Sequence, residues 1–319
     1  MRILAVDDDP IILEVLAEVI AAGGEHEVVT ATSAERAVAA LEDPETGRID
    51  CFLLDIQMPE VDGIQLCSML RCEGAYRQTP IVMLTAMSEK RYIDAAFAAG
   101  ATDYITKPFE ISDIQTRLRV AEKRAREARE RCATVAAQPV ERVELLEQVP
   151  IYDVDNLIDY FAFENYVRQL SRRALFGSVA MAFSIRRVEE LHRELTGPEF
   201  VGVIEDVAEA LSDCLRDTDF MMAYAGAGTF ITVIEDGQMP QARDLVDRIN
   251  LHIHNMDLHR NDGTPLMLRV ATGQSVRLVG RGPELLLDAL SLAQSSAEQT
   301  ALETERAQDR FWFMGQVAN

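Results

Sequence analysis

The first 125 residues predict an α/β fold built on a doubly wound parallel sheet, and two features of the sequence carry this prediction. Short apolar runs alternate five times with stretches of helical periodicity, which is the order expected of successive βα units. The third run, residues 51–55, stays apolar until Asp55, as in a strand that helices cover on both faces. Five βα units within about 120 residues predict one doubly wound parallel sheet.

Each element of this half has its own signal in the sequence. Strands are predicted at residues 3–6, 28–31, 51–55, 80–86 and 101–105, and helices at residues 11–22, 34–41, 64–70 and 88–99. Pro59 cannot continue a strand ladder, so the third strand ends at Asp55. Gly100 ends the fourth helix, because glycine is favoured just past a helix terminus.

Length and composition limit the classes of protein to which the chain can belong. A chain of 319 residues is long enough for about two domains. The net charge of −22 argues against a general nucleic-acid or anionic-membrane surface. There is no signal region and no apolar run of roughly 18 residues, so we expect a soluble cytoplasmic protein without a membrane span. The five cysteines lack metal-ligand spacing, which indicates thiols in a reducing compartment.

Polar residues interrupt the apolar pattern of the first half at the carboxyl ends of the predicted strands. They are Asp7, Asp8, Asp55, Thr85 and Lys107. The carboxyl ends of parallel strands meet at one edge of a sheet, where open α/β sheets bind their ligands. Three carboxylates at such short distances repel one another unless a divalent cation binds between them. Hard oxygen ligands of this kind suit Mg²⁺. The alternative is a set of ordinary loop acids on a sheet of this type.

On these five positions, residues 1–125 resemble the flavodoxin-like receiver domain of response regulators. The resemblance implies that Asp55 is the phosphoacceptor and that Lys107 is the lysine of phosphoryl transfer. It also implies a Mg²⁺ site at Asp7, Asp8, Asp55 and the backbone carbonyl of Gln57. The phosphate would come from a histidine kinase or a phosphotransfer protein.

The same resemblance implies a conformational switch next to the phosphoacceptor. Thr85 matches the switch hydroxyl of the family, and Tyr104 matches its rotating aromatic residue. Both side chains are expected to move when Asp55 is phosphorylated, which would change the surface around the fourth helix, the fifth strand and the fifth helix. Taken alone, Tyr104 could equally be an ordinary strand aromatic residue.

Residues 126–150 are predicted to be a helical connector that prolongs the last receiver helix. Apolar residues alternate spacings of four and three at Ile114, Leu118, Ala121, Ala125, Ala128, Cys132 and Val135. Such a heptad seam is typical of a dimerising or signal-carrying helix, and a homodimer is therefore expected. The alternative is a helix that packs with this face on its own domain. Residues 138–139, Gln-Pro, should end the helix.

Residues 151–319 predict an α+β domain with a mixed sheet under helices. Helices are predicted at residues 155–173, 200–215, 240–254 and 283–297, and strands at residues 178–185, 220–224, 230–234, within 266–276, and at 311–314. The glycine-containing residues 225–229 indicate a hairpin between the second and third of these strands.

This order is similar to the GGDEF domain of diguanylate cyclases, a nucleotidyl cyclase-like fold, but the residues of the cyclase reaction differ. Ser184 stands where the family has its first metal-binding aspartate. His192 and Arg193 replace the Asn and Asp that read guanine, and the hairpin lacks the acidic pair. Joining two GTP molecules needs carboxylates that hold two cations. We therefore expect a degenerate, non-catalytic domain, and no enzyme activity beyond phosphorylation of the receiver.

The sequence leaves three hypotheses for the second half, of which an active diguanylate cyclase is the least favoured. The first is an output domain that binds a protein partner under control of the phosphorylated receiver. The second is a receptor for cyclic dimeric GMP, because Arg216 and Asp219 match the inhibitory site of the family. A salt bridge at a helix end would explain the same pair. A DNA-binding output is disfavoured because no helix-turn-helix stretch occurs.

Overall fold

The computed structural model describes the chain except residues 23–25, 87–88, 138–142, 171–173, 176, 236–240, 279–282 and 318–319. The chain folds into two compact units, Met1–Pro139 and Val140–Asn319. The predicted connector thus contributes residues to both units. In the described residues, no helix combines the length and the apolar character that crossing a membrane requires.

The first unit is a five-stranded parallel sheet with the strand order β2-β1-β3-β4-β5. Its strands are β1 (Arg2–Val6), β2 (Glu27–Ala31), β3 (Cys51–Asp55), β4 (Ile81–Thr85) and β5 (Asp103–Thr106). Its helices are α1 (Pro10–Ala22), α2 (Ala34–Glu42), α3 (Gly63–Cys72), α4 (Lys90–Ala98) and α5 (Ile111–Ala137). The predicted doubly wound fold is confirmed, with boundaries within a few residues of those expected.

The strand register brings the polar residues of the first unit to one edge of the sheet. Val6 lies opposite Leu54, so the residues that follow β1 lie beside the end of β3. Asp55 pairs with Leu84 of β4, one residue before Thr85. All residues of β3 and β4 are buried, which explains why these strands read as uninterrupted apolar runs.

Helix α5 is packed onto the first unit along its first half. Ile114, Leu118 and Ala121 belong to the apolar core of this unit, and Ala125 is also buried. Arg117 forms an ion pair of 2.8 Å with the buried Asp103. The first four positions of the predicted heptad seam therefore pack on their own domain, as the alternative to a dimerising helix predicted. The side chains at 128, 132 and 135 and the predicted break at 138–139 lie outside the described residues.

The described part of the second unit contains an antiparallel sheet and helices that pack with it. Its strands are β6 (Ser178–Ile185), β7 (Phe220–Gly226), β8 (Thr229–Glu235), β9 (Val270–Thr272) and β10 (Val276–Arg277). The helices are α6 (Tyr160–Gln169), α7 (Val188–Glu194), α8 (Gly197–Leu215), α9 (Ala242–Asn255) and α10 (Pro283–Val317).

Of the mixed sheet predicted for this unit, the described residues show a parallel bridge of Leu157 with Met222 of β7, whereas the strands with defined bounds pair antiparallel. The strand order is β10-β6-β8-β7, with β9 also on β6, and these pairings are all antiparallel. After β6, helix α8 leads to β7, and β8 then lies between β6 and β7. After β8, helix α9 leads to β9, which lies on the far side of β6. Each crossover thus skips one strand, so neighbours run in opposite directions, as in a split βαβ fold.

Two predicted elements of this unit differ from the structure for local reasons. Residues 311–314 continue helix α10 and form no strand, because neither Gly nor Pro interrupts the chain between Pro283 and this aromatic run. The predicted helix at 155–173 begins only at Tyr160. Asn156 has a positive φ of 58°, and the Asp159 side chain accepts a 2.9 Å hydrogen bond from the Phe161 N–H as the N-cap.

A close approach between α3 and β3 requires glycine at position 63. The Gly63 N–H donates a 3.0 Å hydrogen bond to the Ile56 carbonyl. A Cβ atom at this position would lie 2.0 Å from the backbone oxygen of Asp55. Gly63 therefore holds the end of β3, and with it Asp55, against the start of α3.

We expect Gly63→Ala to destabilise the first unit by about 1–3 kcal/mol, since the added methyl group must push the Asp55 backbone aside. Urea unfolding followed by hydrogen exchange of the β3 amides measures this change. Gly74→Ala is the matched control, because a Cβ at Gly74 meets nothing within 4 Å. Equal stability of the two variants would contradict this account of the α3–β3 contact.

Candidate functional site

Three carboxylates meet at the carboxyl edge of the first sheet. Ligand oxygens of Asp7, Asp8 and Asp55 all lie within 4.8 Å of one another. Asp7 and Asp55 are buried, with 0% and 4% of their surface exposed, whereas Asp8 faces solvent. A group of hard oxygen donors with one side open to water fits a divalent cation such as Mg²⁺. The structure thus brings together the three acids that the sequence singled out.

Lys107 bridges the two buried carboxylates. Its Nζ lies 2.6 Å from Oδ2 of Asp7 and 2.6 Å from Oδ1 of Asp55. The backbone holds this lysine in place, because the Lys107 N–H donates a 2.6 Å hydrogen bond to the Thr85 carbonyl. Two buried carboxylates would be costly without such a partner. One ammonium cannot neutralise three acids, so the pocket keeps a negative charge.

The pKa values of Asp55 and Lys107 reflect this arrangement. Burial raises the pKa of the Asp55 carboxyl, the Lys107 ammonium opposes that rise, and Asp7 adds to it. Burial by itself would lower the pKa of Lys107, but its hydrogen bonds to Asp55 and Asp7 hold that pKa above its usual value. Lys107 therefore remains charged beside the carboxylates.

Thr85 and Tyr104 form a buried pair on neighbouring strands. Thr85 is fully buried at the end of β4, and Tyr104 on β5 has 1% of its surface exposed. The side chains of the two residues are hydrogen-bonded to each other, and burial raises the pKa of the Tyr104 phenol to about 12. The phenol is consequently neutral, and its ring points into the unit. The sequence identified both residues without indicating that they touch.

Gln57 lies just past the phosphoacceptor position, where the sequence predicted a metal-binding carbonyl. It is exposed, and its backbone N–H donates a hydrogen bond to the Asp55 carboxylate. The metal contact of its carbonyl stays a prediction. The role of Gly63 at the end of β3 was not predicted from the sequence. The signal for its role was the Asp62–Gly63 pair at the start of α3, where Asp62 and Gln65 form a capping box.

In the second unit, the position expected for a metal ligand holds a neutral pair of hydroxyls. Ser184 on β6 lies opposite Thr229 on β8. The Thr229 hydroxyl donates a 3.1 Å hydrogen bond to the Ser184 hydroxyl. Both residues are buried, with 3% and 0% of their surface exposed. The Ser184 hydroxyl thus accepts a hydrogen bond, and this arrangement offers no carboxylate for a cation.

The β7–β8 hairpin turn is packed against residues 143–149 of the same unit. Ala227 and Gly228 have φ values of 50° and 67°, which is the backbone of a two-residue type I′ turn. The Ala227 N–H donates a 2.7 Å hydrogen bond to the Leu145 carbonyl. A Cβ at Gly226 would lie 2.5 Å from the Leu146 carbonyl oxygen. Nothing in the sequence pattern predicted that residues 143–149 cover this turn.

The other residues predicted for this unit lie at separate places. His192 Nε2 lies 2.6 Å from the Val143 carbonyl oxygen, and its ring packs edge-on against Phe200. Arg193 is exposed. Arg216 caps the carboxyl end of α8, and Asp219 lies just before β7, with both residues exposed in the same connection. His192 is thus engaged in holding residues 143–149.

Residues 3–119 match the family model described as the response regulator receiver domain. The matched residues include the three acids, Thr85, Tyr104 and Lys107. The first unit is therefore a receiver domain of the two-component response regulator type.

Known relatives match 39–40% of the chain. The transcriptional regulatory protein TcrA of Mycobacterium tuberculosis is 36% identical over 124 residues, or 39% of this chain and 47% of the relative. The transcriptional regulatory protein YvrH of Bacillus subtilis is 34% identical over 128 residues, or 40% of this chain and 52% of the relative. The chain spans about half the length of these relatives. The solved chemotaxis protein CheY4 of Vibrio cholerae is 29% identical, with 38% of this chain and 97% of that chain covered and a TM-score of 0.35.

We expect Asp55→Asn to stabilise the metal-free protein at neutral pH. The raised pKa means that the folded state binds a proton on Asp55 more tightly than the unfolded state does. Stability is therefore lost as the pH rises from the ordinary value of 3.8 through the raised pKa, and the amide removes this loss. The gain should shrink as the pH falls towards 3.8.

Thermal unfolding in the presence of a chelator, measured across this pH range, tests the expectation. Glu60→Gln serves as the control, since Glu60 is an exposed acid near the same edge and should give no comparable gain. A lower thermal midpoint for Asp55→Asn at neutral pH would show that the Lys107 contact outweighs the burial of the carboxylate.

Proposed function

We propose that the chain is a response regulator in which phosphorylation of Asp55 switches dimerisation or protein-partner binding of a non-catalytic, GGDEF-like output domain. The phosphate would come from a histidine kinase or a phosphotransfer protein. The observation that carries the proposal is the contact of Lys107 with both buried carboxylates at the edge of the sheet. A buried acid held beside an ammonium and two further acids has the composition that phosphoryl transfer to a carboxylate requires.

The residues of the pocket have distinct tasks in this reaction. An oxygen of the Asp55 carboxylate attacks phosphorus and forms an acyl phosphate, while the bond from phosphorus to the donor breaks. The Lys107 ammonium neutralises charge on the phosphoryl oxygens. Asp7, Asp8 and Asp55 would hold Mg²⁺, which supplies the further positive charge that phosphoryl transfer needs when it is bound.

The Thr85–Tyr104 pair is the proposed switch element. Thr85 ends the strand next to Asp55, and its side chain is hydrogen-bonded to Tyr104. A phosphoryl group on Asp55 offers the Thr85 hydroxyl a charged acceptor, which competes with the bond to Tyr104. Phosphorylation would thereby shift the balance between two arrangements of Tyr104 and of the surface near α4, β5 and α5.

The proposal of a non-catalytic output domain is supported by the second unit. The Ser184–Thr229 pair stands in place of an acid, and residues 143–149 cover the hairpin turn. The names of the transcriptional regulators describe those relatives, which match 39–40% of this chain. With a net charge of −22, we propose a protein rather than DNA as the partner.

We expect acetyl phosphate and Mg²⁺ to phosphorylate the wild-type chain, and Asp55→Asn to abolish incorporation. Lys107→Ala should slow incorporation by about 100-fold, because it removes the charge that stabilises the phosphoryl oxygens. Mass spectrometry measures incorporation, and light scattering with a pull-down measures dimerisation and partner binding. Lys90→Ala is the matched control, as Lys90 pairs with Asp94 on α4. Phosphate on the Asp55→Asn variant would refute the assignment.

The output domain should give no product with GTP and Mg²⁺, whether or not the receiver is phosphorylated. Product would show an active cyclase. A separate calorimetric titration addresses the receptor for cyclic dimeric GMP, which the shared exposed connection of Arg216 and Asp219 keeps as the second candidate. A heat of binding that is lost in Arg216→Ala would support the receptor hypothesis. No heat of binding with the wild-type chain would exclude that hypothesis.

A further inference from the structure

Three arginines gather at the carboxyl end of β6, in a chain whose net charge is −22. Arg186 and Arg187 directly follow β6, and Arg269 directly precedes β9. The pairing of β6 with β9 joins them, because the Arg186 N–H donates a 2.9 Å hydrogen bond to the Arg269 carbonyl. This arginine cluster lies just past the buried Ser184–Thr229 pair.

Arg186 carries a hydrogen-bonding group that the fold leaves unsatisfied. Its Nη2 donates a 2.6 Å hydrogen bond to Oε1 of Gln308 on α10. Its Nε is buried and has no hydrogen-bond partner among the described residues. A buried donor without an acceptor is costly and needs an explanation, such as an ion or a water bound in the functional state.

The charges around Arg186 are mostly of the same sign. Burial lowers the pKa of the Arg186 guanidinium, Arg269 lowers it further, Glu305 opposes this effect, and Arg187 adds to it. Glu305 accepts a hydrogen bond from the Arg187 N–H. In the described part of the chain, no carboxylate forms an ion pair with Arg186 or Arg269.

Arg187 has a backbone conformation that is unfavourable for its residue type. Its φ is 55°, in the left-handed region, where an arginine is strained. Its side chain lies 3.6 Å from the Glu190 carboxylate, an exposed contact that contributes little stability. Strain of this kind is found at ligand sites, where the surrounding structure holds the residue in place.

We propose that Arg186, Arg187 and Arg269 form a binding site for a phosphate-bearing anion that requires no divalent cation. A guanidinium presents a planar set of donors that matches phosphate oxygens. A phosphate group has more acceptor oxygens and more charge than a carboxylate, so it can engage several guanidinium groups at once. The neutral Ser184–Thr229 pair supplies no cation ligand, and the arginines themselves neutralise the anion.

The full chain, titrated calorimetrically with inorganic pyrophosphate in the presence of a chelator, tests this site. We expect binding that weakens as salt is added. Arg269→Gln and Arg186→Gln should each weaken binding by about tenfold or more, the loss expected for a charged hydrogen bond. Arg260→Gln is the matched control, because Arg260 pairs with Glu194 elsewhere in the unit, and it should bind as the wild type does.

Thermal unfolding separates ligand binding from a purely structural role. Arg269 is exposed, and its replacement by Gln removes like charge, so the thermal midpoint without anion should stay equal or rise. At one concentration, pyrophosphate should raise the midpoint of the wild type more than that of Arg269→Gln.

A parallel titration with a nucleoside triphosphate shows whether the site binds a free phosphate group or a nucleotide. If the nucleotide binds no more tightly than pyrophosphate, the site recognises the phosphate group alone. If the nucleotide binds more tightly and Arg269→Gln weakens that binding too, the same site also contacts the base. The proposal is overturned if neither pyrophosphate nor the nucleotide binds, or if both cluster variants bind as tightly as the wild type.

Discussion

The contact of Lys107 with Asp7 and Asp55 is the interaction on which the receiver depends. Two buried carboxylates this close repel each other, and burial makes their charged forms costly. A single ammonium at 2.6 Å from each offsets part of that cost. It does so across 100 residues of sequence, which only the register of β1, β3, β4 and β5 makes possible. The pocket remains acidic, which suits a cation and a phosphoryl group arriving together.

The polar groups at the corresponding edge of the sheet in the second unit are hydroxyls and arginines instead of acids. Thr229 at the start of β8 donates a hydrogen bond to Ser184 near the end of β6, and two arginines directly follow β6. This edge lacks the carboxylates that hold a cation, and we propose that it attracts an anion instead. The two sheets of one acidic chain would then carry sites of opposite charge, each set by the few residues at its strand ends.

Local pattern determined most of the secondary structure. The strands of the receiver were predictable because strands covered on both faces are apolar throughout, and the helices because their apolar residues recur at helical spacing. The pattern of apolar and polar residues was misleading where a short segment typical of one structure lies beside or within a longer segment typical of another. The aromatic run at 311–314 has strand composition, yet it continues a helix that nothing interrupts. Residues 155–159 look helical, yet Asn156 turns the chain and Asp159 starts the helix.

By itself, the sequence determined the receiver fold and the set of acids, hydroxyl and lysine at its edge, because these follow from strand order and from residues at strand ends. Only the tertiary structure decided which groups touch. It placed Tyr104 against Thr85, Gly63 against the Asp55 carbonyl, and residues 143–149 over the β7–β8 turn. Contacts between residues far apart in the chain depend on register and packing, which no local pattern of apolar and polar residues specifies.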